Sequence, residues 1–544
     1  MQKMKNIIQS RILVIVFVYL IILFFLAVTG QGLAQSTIIV GDVNSEDSEI
    51  DYNSIQEAIN NAEAFDDILI HHGSYEENIF IDKQGLNIKS YDLTKPAIIQ
   101  ARDNRKSVIS LNSSDVKIES LIIKDALGSS YNDHIAGIYV NTNTSNNTLK
   151  NIKLINNDNG IIIKNSDYNH IINCNATKNQ YRGMFVYQSN NNTIRDNIFN
   201  LNRYGLTLKE SSKNDLEGNT FKENNGPGLS VFDSKENLIK SNISNNNNNH
   251  GIQLRNGSRH VLRNNKMDDN LLNFGSRGGI MDIDESNTVN DKPIYYMIDE
   301  HNQKIPPDAG CVYLINCSNI EIENIKSIHN SHAVFLKNTN GSLINNLEAA
   351  DCGFGAINLV NSDNNTISNS KLLNSKYAIY LDCSSDNTIN NNFIEDNSYG
   401  IWLRNISESN IIKNNKIVNS YYLFSPWGLD GDSNYIYMND FKNFVEVYSS
   451  GNNFNENSLQ FKAHCDVDYV YNNKKHQSYL GNYWDIHNKK DNNNDGIIDT
   501  SYYVSDTIQD AYPLIKSQES YSVDASAVDV TLRGVMMLLL DDRP

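Results

Sequence analysis

Six cysteines are few for a chain of 544 residues, and none stands in a CxxC pair. Disulfides are chemically permitted outside the cell, but nothing in the spacing demands them. Cys174, Cys311, Cys317, Cys352, Cys383 and Cys465 therefore read as buried or corner thiols rather than metal ligands. The twelve histidines are scattered, with His71-His72 and His329-x-x-His332 the nearest groupings. Neighbours on a strand point to opposite faces, so His71 and His72 would not chelate together. Copper wants clustered imidazole, thiolate or thioether ligands, and the sequence shows no such cluster. Basic residues are outnumbered, 46 against 64 acidic, for a net charge of -18. No basic cluster occurs beyond the extreme N-terminus, which argues against a nucleic-acid partner. Also missing, inside the repeat described next, is any run of ten or more residues with a 3.6-residue period. That excludes ankyrin, tetratricopeptide and leucine-rich architectures.

What is present is a repeat of 22 or 23 residues from Gly137 to about Asn419, reading Gly-Ile-x-Leu-x-x-Ser-x-x-Asn-x-Ile-x-x-Asn. Its phase is marked by Gly137, Gly160, Gly183, Gly205, Gly228 and Gly251, then by Ala333, Gly355, Ala378 and Gly400. Apolar residues alternate within a unit, as in Ile357-Asn358-Leu359, which is the period of a strand. Short strands with Asn, Asp, Ser and Gly corners, wound in one direction, give an all-β parallel β-helix. Right-handed winding is expected from the chirality of parallel crossovers. Asn recurs at fixed corners, so stacked amides can bond from coil to coil. The same demand explains most of the Asn-x-Ser/Thr sequons without invoking glycan.

Lys3, Lys5 and Arg11 precede an apolar run from Ile12 to Val28, with Gly32 and Ala34 at a small-x-small site. Residues 1–34 read as a signal peptide cleaved after Ala34, or alternatively as an uncleaved N-terminal anchor; either way the body is exported. A membrane enters only through that segment. Residues 35–135 form an N-terminal cap and first irregular coils. Here Ser54-Ile-Gln-Glu57 is a capping box for a short helix that covers the open end of the stack. Regular coils fill 136–420, with an insertion near 270–317 that contains Ile305-Pro-Pro307. Residues 421–515 are an aromatic-rich end region and 516–544 a tail.

The Ser54–Ile59 helix, the Gly73-Ser-Tyr-Glu-Glu-Asn78 turn and the Asn-Asn-Thr-Ile coils resemble NosD-like right-handed β-helix proteins. So do the Asn287–Tyr296 segment with its sequel Ala309–Cys317, and the ending from Gly481-Asn-Tyr-Trp484 to Tyr512-Pro-Leu514. The resemblance implies a cell-surface protein of the kind common in methanogenic archaea. It also implies a link to copper maturation and to carbohydrate-binding and sugar-hydrolysis β-helices.

Three sets of residues carry candidate chemistry. Asp491, Asn493, Asp495 and Asp499, with the Ile497 carbonyl and a Gly496 turn, match the first part of a calcium loop, although Tyr502 stands where a bidentate Glu would be. Asp282 and Asp284 lie two apart, on one face if 280–283 is a strand, and Arg277 precedes them; together they are the best catalytic constellation for polysaccharide cleavage. Tyr139, Tyr187, Tyr380 and Trp402 follow the coil Gly or Ala and alternate with inward Ile and Leu, so they read as an exposed sugar-binding strip. The expected function is an exported surface module, structural or binding a polysaccharide or surface glycan without catalysis. The rival reading is a polysaccharide lyase, hydrolase or epimerase, and a weaker third is a copper-handling periplasmic protein.

Overall fold

The computed structural model describes residues 35–41, 49–128, 134–427, 433–448, 459–487, 489–506 and 508–523. The expected export segment, 1–34, lies outside them. Most strands from Thr37–Val40 onward have three to six residues and pair in parallel with the strand one coil away. Ile138, Ile161, Met184, Leu206, Leu229, Ile252 and Phe274 are successive register partners, 22 or 23 residues apart. All seven are fully buried. In the later coils Leu359, Leu381 and Leu403 are stacked in the same way. There Ile357 pairs with Ile379 and Gly355 with Tyr377. The coil phase is therefore kept by Ala356, and Gly355 lies one residue ahead of it.

The coil glycines are required by closeness of approach. A Cβ on Gly160 would lie 2.4 Å from the Gly183 carbonyl oxygen and 2.7 Å from the Ala176 Cβ. Asparagine has two distinct jobs. At corners such as Asn151 and Asn173 it takes positive φ, which Asn tolerates better than most residues. Inside the coils it forms amide ladders. One runs Asn197, Asn219, Asn242, Asn265 and Asn287, each backbone N–H and each Nδ2 donating to the next Oδ1 at 2.8–3.2 Å. These buried amides are satisfied along the stack, so burial costs little.

The helix Ile55–Asn61 closes the N-terminal end by burying Ile55, Ala58 and Ile59. Ser54 accepts the Glu57 N–H as a capping box requires. The helix N-terminus is also held by a distant carboxylate, Glu77, which accepts the N–H groups of Ile55 and Gln56, each at 2.9 Å.

The stretch where the repeat lapses is a turnover between two coil stacks. Thr288–Val289, the last strand on its face of the first stack, pairs antiparallel with Lys292–Ile298. The second stack then grows from Lys292–Ile298 in parallel register. One twelve-stranded sheet thus belongs to both stacks, and its two faces serve different cores. Cys311 and Tyr313 pack into the first core, while Val312 and Leu314, between and beside them, pack into the second. The outward face of the second stack therefore begins against the end of the first.

The end motif acquires a physical reason. An amide ladder running Asn392, Asn415, Asn439 and Asn482 terminates on Asp510. This fully buried carboxylate accepts the Asn482 N–H at 2.7 Å, the Trp484 indole N–H at 2.9 Å and the Tyr512 N–H at 3.0 Å. A Cβ on Gly481 would lie 1.9 Å from it, so only glycine fits there. Beyond this point the structure departs from the expected tail. Tyr521–Val523 is a strand paired with Val467–Tyr471, because Tyr521 is buried and stacks on Tyr471 at 4.9 Å.

Candidate functional site

The nine-stranded sheet of the first stack, ending at Leu272–Arg277, turns alternate side chains outward. One outward column holds Lys164, Tyr187, Lys209, Phe232, Arg255 and Arg277 as successive register partners. At about 4.8 Å per strand, five steps place about 24 Å between its ends. Cations and rings alternate and touch: the Lys209 ammonium lies 5.5 Å from the Tyr187 ring centre, and the Arg255 guanidinium 5.6 Å from that of Phe232. A neighbouring column places Tyr139, Ile162 and Phe185 in an outer apolar cluster shared with Tyr187. A groove of about 370 Å³ runs between them, lined by Lys164, Arg182, Phe185, Tyr187, Lys209 and Phe232 among others.

Arg277 carries this track across the junction. Its guanidinium stands 4.0 Å from the ring centre of Phe354. Phe354 in turn packs on Tyr377 and Tyr380 at 5.2 and 5.4 Å, and Trp402 lies 4.4 Å from Tyr377. Arg404 donates to the Tyr380 hydroxyl at 3.1 Å, which donates to Asp382 at 3.2 Å. Burial lowers the pKa of Arg277; the positive charges of Arg255 and Arg404 act in the same sense, the phenols of Tyr380 and Tyr377 against it. Burial likewise raises the Tyr380 hydroxyl.

Under the track, His250 donates from Nδ1 to Asn249 Oδ1 and accepts the Ser331 hydroxyl at Nε2, both at 2.7 Å. His332 meets Asn358 Oδ1 at 2.9 Å. Hydroxyl, imidazole and amide line up as in a nucleophilic relay, but Ser331 is 6% exposed and His250 8%. The arrangement fastens the stacks together. Burial pushes both imidazoles down to about 4, with the Arg255 charge adding to the shift at His250.

The structure redistributes the residues picked out from sequence. Tyr139 and Tyr187 share the outer face but stand in different columns, since Tyr139 is opposite Ile162 while Tyr187 is opposite Lys164. Tyr380 is only 5% exposed, packed among the junction aromatics, so it is a support rather than an open platform; Trp402 is half-buried beside it. Asp282 and Asp284 do converge, but on Arg263, whose Nη2 and Nε lie 2.6 and 3.1 Å from them. Asp282 is in the eleven-stranded sheet and Arg277 in the nine-stranded one, so Arg277 is no part of a catalytic constellation with the two aspartates. In the Asp491–Asp499 loop the oxygens close the turn themselves. Asp491 accepts the N–H groups of Asp495 and Gly496, Asp495 that of Ile497, and Asp499 that of Asn492. Asn493 accepts from Asp495 at 3.1 Å. Among the described residues no three His, Cys, Asp or Glu side chains form a metal-holding group. Sequence reasoning passed over Lys164, Lys209, Phe232 and Arg255, although each lies four residues after a coil glycine.

Comparisons with known proteins agree with this architecture. Residues 136–294 match the family described as right handed beta helix region, and residues 283–489 match periplasmic copper-binding protein (NosD). The chain is a NosD-like right-handed β-helix protein. A cell surface glycoprotein of Methanothermus fervidus is 29% identical to the NosD-like chain over 130 residues, 24% of this chain and 21% of that one. The NosD-like chain thus spans about a fifth of that relative's length. Solved structures similar to it include the GH136 lacto-N-biosidase from Eubacterium ramulus, with 13% identity, a TM-score of 0.37 and 61% and 67% of the two chains covered. Another is pectate lyase Pel9A, with 14% identity, a TM-score of 0.30 and 62% and 79% covered. The periplasmic family and the cell-surface relative point to an exported protein.

Proposed function

We propose that this protein is a non-catalytic carbohydrate-binding module at the cell surface, and that glycan lies on the outward track of the nine-stranded sheet. The supporting observation is the alternation of ring and cation from Lys164 to Arg255, over about 19 Å on a rigid, regularly spaced face. Aromatic rings stack on sugar faces and cations bond to sugar oxygens, and both are held here by strands whose inner side chains are fully buried. The side chains need no ordering on binding beyond their own rotamers, which favours affinity. Asp282 and Asp284 are each bound to Arg263, which leaves that pair as a structural brace. The test is glycan-array binding of wild type beside Tyr187→Ala/Phe232→Ala. Loss of binding with an unchanged melting temperature supports the reading. Release of reducing or unsaturated sugar by the wild type would overturn its non-catalytic part.

A further inference from the structure

The cations on this face stand out against a chain that is acidic overall. Lys164, Arg255 and Arg277 take no carboxylate partner among the described residues. Among the described residues Lys209 has only Glu210, at 3.7 Å. Asp233 stands exposed at the edge of the same face and pairs with the Asn256 amide. Arg255, Arg277 and Arg404 converge at the junction with Asp382 as the carboxylate beside Arg404, at 3.6 Å. Like charges gathered on one face with few counter-charges repel one another unless an anion joins them. A neutral sugar would need the rings and some polar groups, but not a cation at every second coil.

Resting on the carbohydrate reading above, we infer that the ligand is an anionic glycan, its carboxylate or sulfate groups meeting Lys164, Lys209, Arg255 and Arg277 while its sugar rings lie on Tyr187 and Phe232. The chain of sugars runs along the coil axis, crossing the strands, because the cations recur along that axis every second coil until Arg255 and Arg277 occupy successive coils. At about 4.8 Å per strand, two coils separate Lys164 from Lys209 by about 10 Å. Alternate units of the glycan therefore present their charge to the protein, and the paired arginines at the junction take its most charged end.

The experiment measures binding of the whole purified protein to polygalacturonate, dextran sulfate, neutral dextran and polyphosphate, for wild type and two variants. Lys164→Gln/Lys209→Gln/Arg255→Gln removes charge at outward positions; Tyr187→Ala/Phe232→Ala removes the rings. The expected result is preference for one of the anionic glycans over dextran, weakened at least about tenfold by the Gln variant through loss of three partly exposed charges. The Ala variant should weaken the same binding, and raised salt should weaken it further. The two anionic glycans separate carboxylate from sulfate recognition. Equal binding of dextran, unaffected by the Gln variant, overturns the anionic inference and leaves the carbohydrate reading standing. Polyphosphate bound as tightly as the glycans, with no effect of the Ala variant, overturns the role of the sugar rings. No binding to any glycan overturns both readings.

Discussion

His260 interrupts an amide ladder, and its replacement by asparagine gives a sharp test of how burial sets the pH response. The ladder runs Asn147, Asn169, Asn192, Asn214 and Asn237, after which the Asn237 N–H donates to His260 Nδ1 at 3.1 Å. His260 is fully buried, and burial pushes its pKa down from 6.5 to about 4. A folded-state value below the unfolded one means that unfolding takes up a proton between those limits. The stability is present above pH 6.5 and is lost as pH falls toward 4. Two and a half pKa units correspond to about 3 kcal/mol in full, most of it already lost at pH 4.5. In His260→Asn the new Oδ1 takes the place of Nδ1, and Nδ2 reaches the Ser234 carbonyl as Asn237 Nδ2 reaches that of Ser211 at 3.0 Å. At pH 7 the variant should match wild type within about 1 kcal/mol. At pH 4.5 it should be more stable by about 2–3 kcal/mol, a rise of about 2–3 °C in melting temperature if the described chain melts as one unit. His250 and His332 share the acid loss in both proteins. Asp510 works in the opposite sense, burial raising it to about 6, so its stabilising share is present below about 4 and lost as pH rises through 6. The difference between variant and wild type isolates His260. Identical differences at pH 7 and 4.5 would refute the reasoning.

Other outcomes follow from the same geometry. Asp510→Asn keeps one oxygen for Asn482 and Trp484 but turns its NH2 on the Tyr512 N–H, and should cost about 1–3 kcal/mol, read as early loss of the C-terminal region in thermal melts. Leu381→Asp buries an unpaired charge between Leu359 and Leu403 and should cost more than about 4 kcal/mol; an unchanged melting temperature would contradict the register. Because the Asp491–Asp499 loop closes on its own N–H groups, excess calcium should leave the melting temperature unchanged. A calcium-dependent rise abolished by Asp491→Asn would show that the loop rearranges around the ion.

The coil architecture was readable because every coil repeats its requirement for buried Ile or Leu, a close-approach glycine and a ladder Asn. Gly481, Asn482 and Trp484 were readable as a motif, but their purpose was not, because Asp510 reaches them across 26 to 29 residues. The cation track was hidden for a related reason. Lys164, Lys209 and Arg255 are 45 and 46 residues apart in sequence, so no window shows them as a basic cluster. Only the coil register brings them into one column. The junction was legible as an interruption near Pro306. That one sheet turns Cys311 and Val312 into different cores needed the antiparallel pairing at Val289.

The most direct test of the central claim is lysine footprinting of the whole protein with and without polygalacturonate or dextran sulfate. Acylation of Lys164 and Lys209, on the outward track, should fall on addition of the bound glycan. Lys117, on the eleven-stranded sheet, should be acylated as before. Protection spread equally over all three lysines, or confined to Lys117, would contradict the assignment of this face as the binding surface.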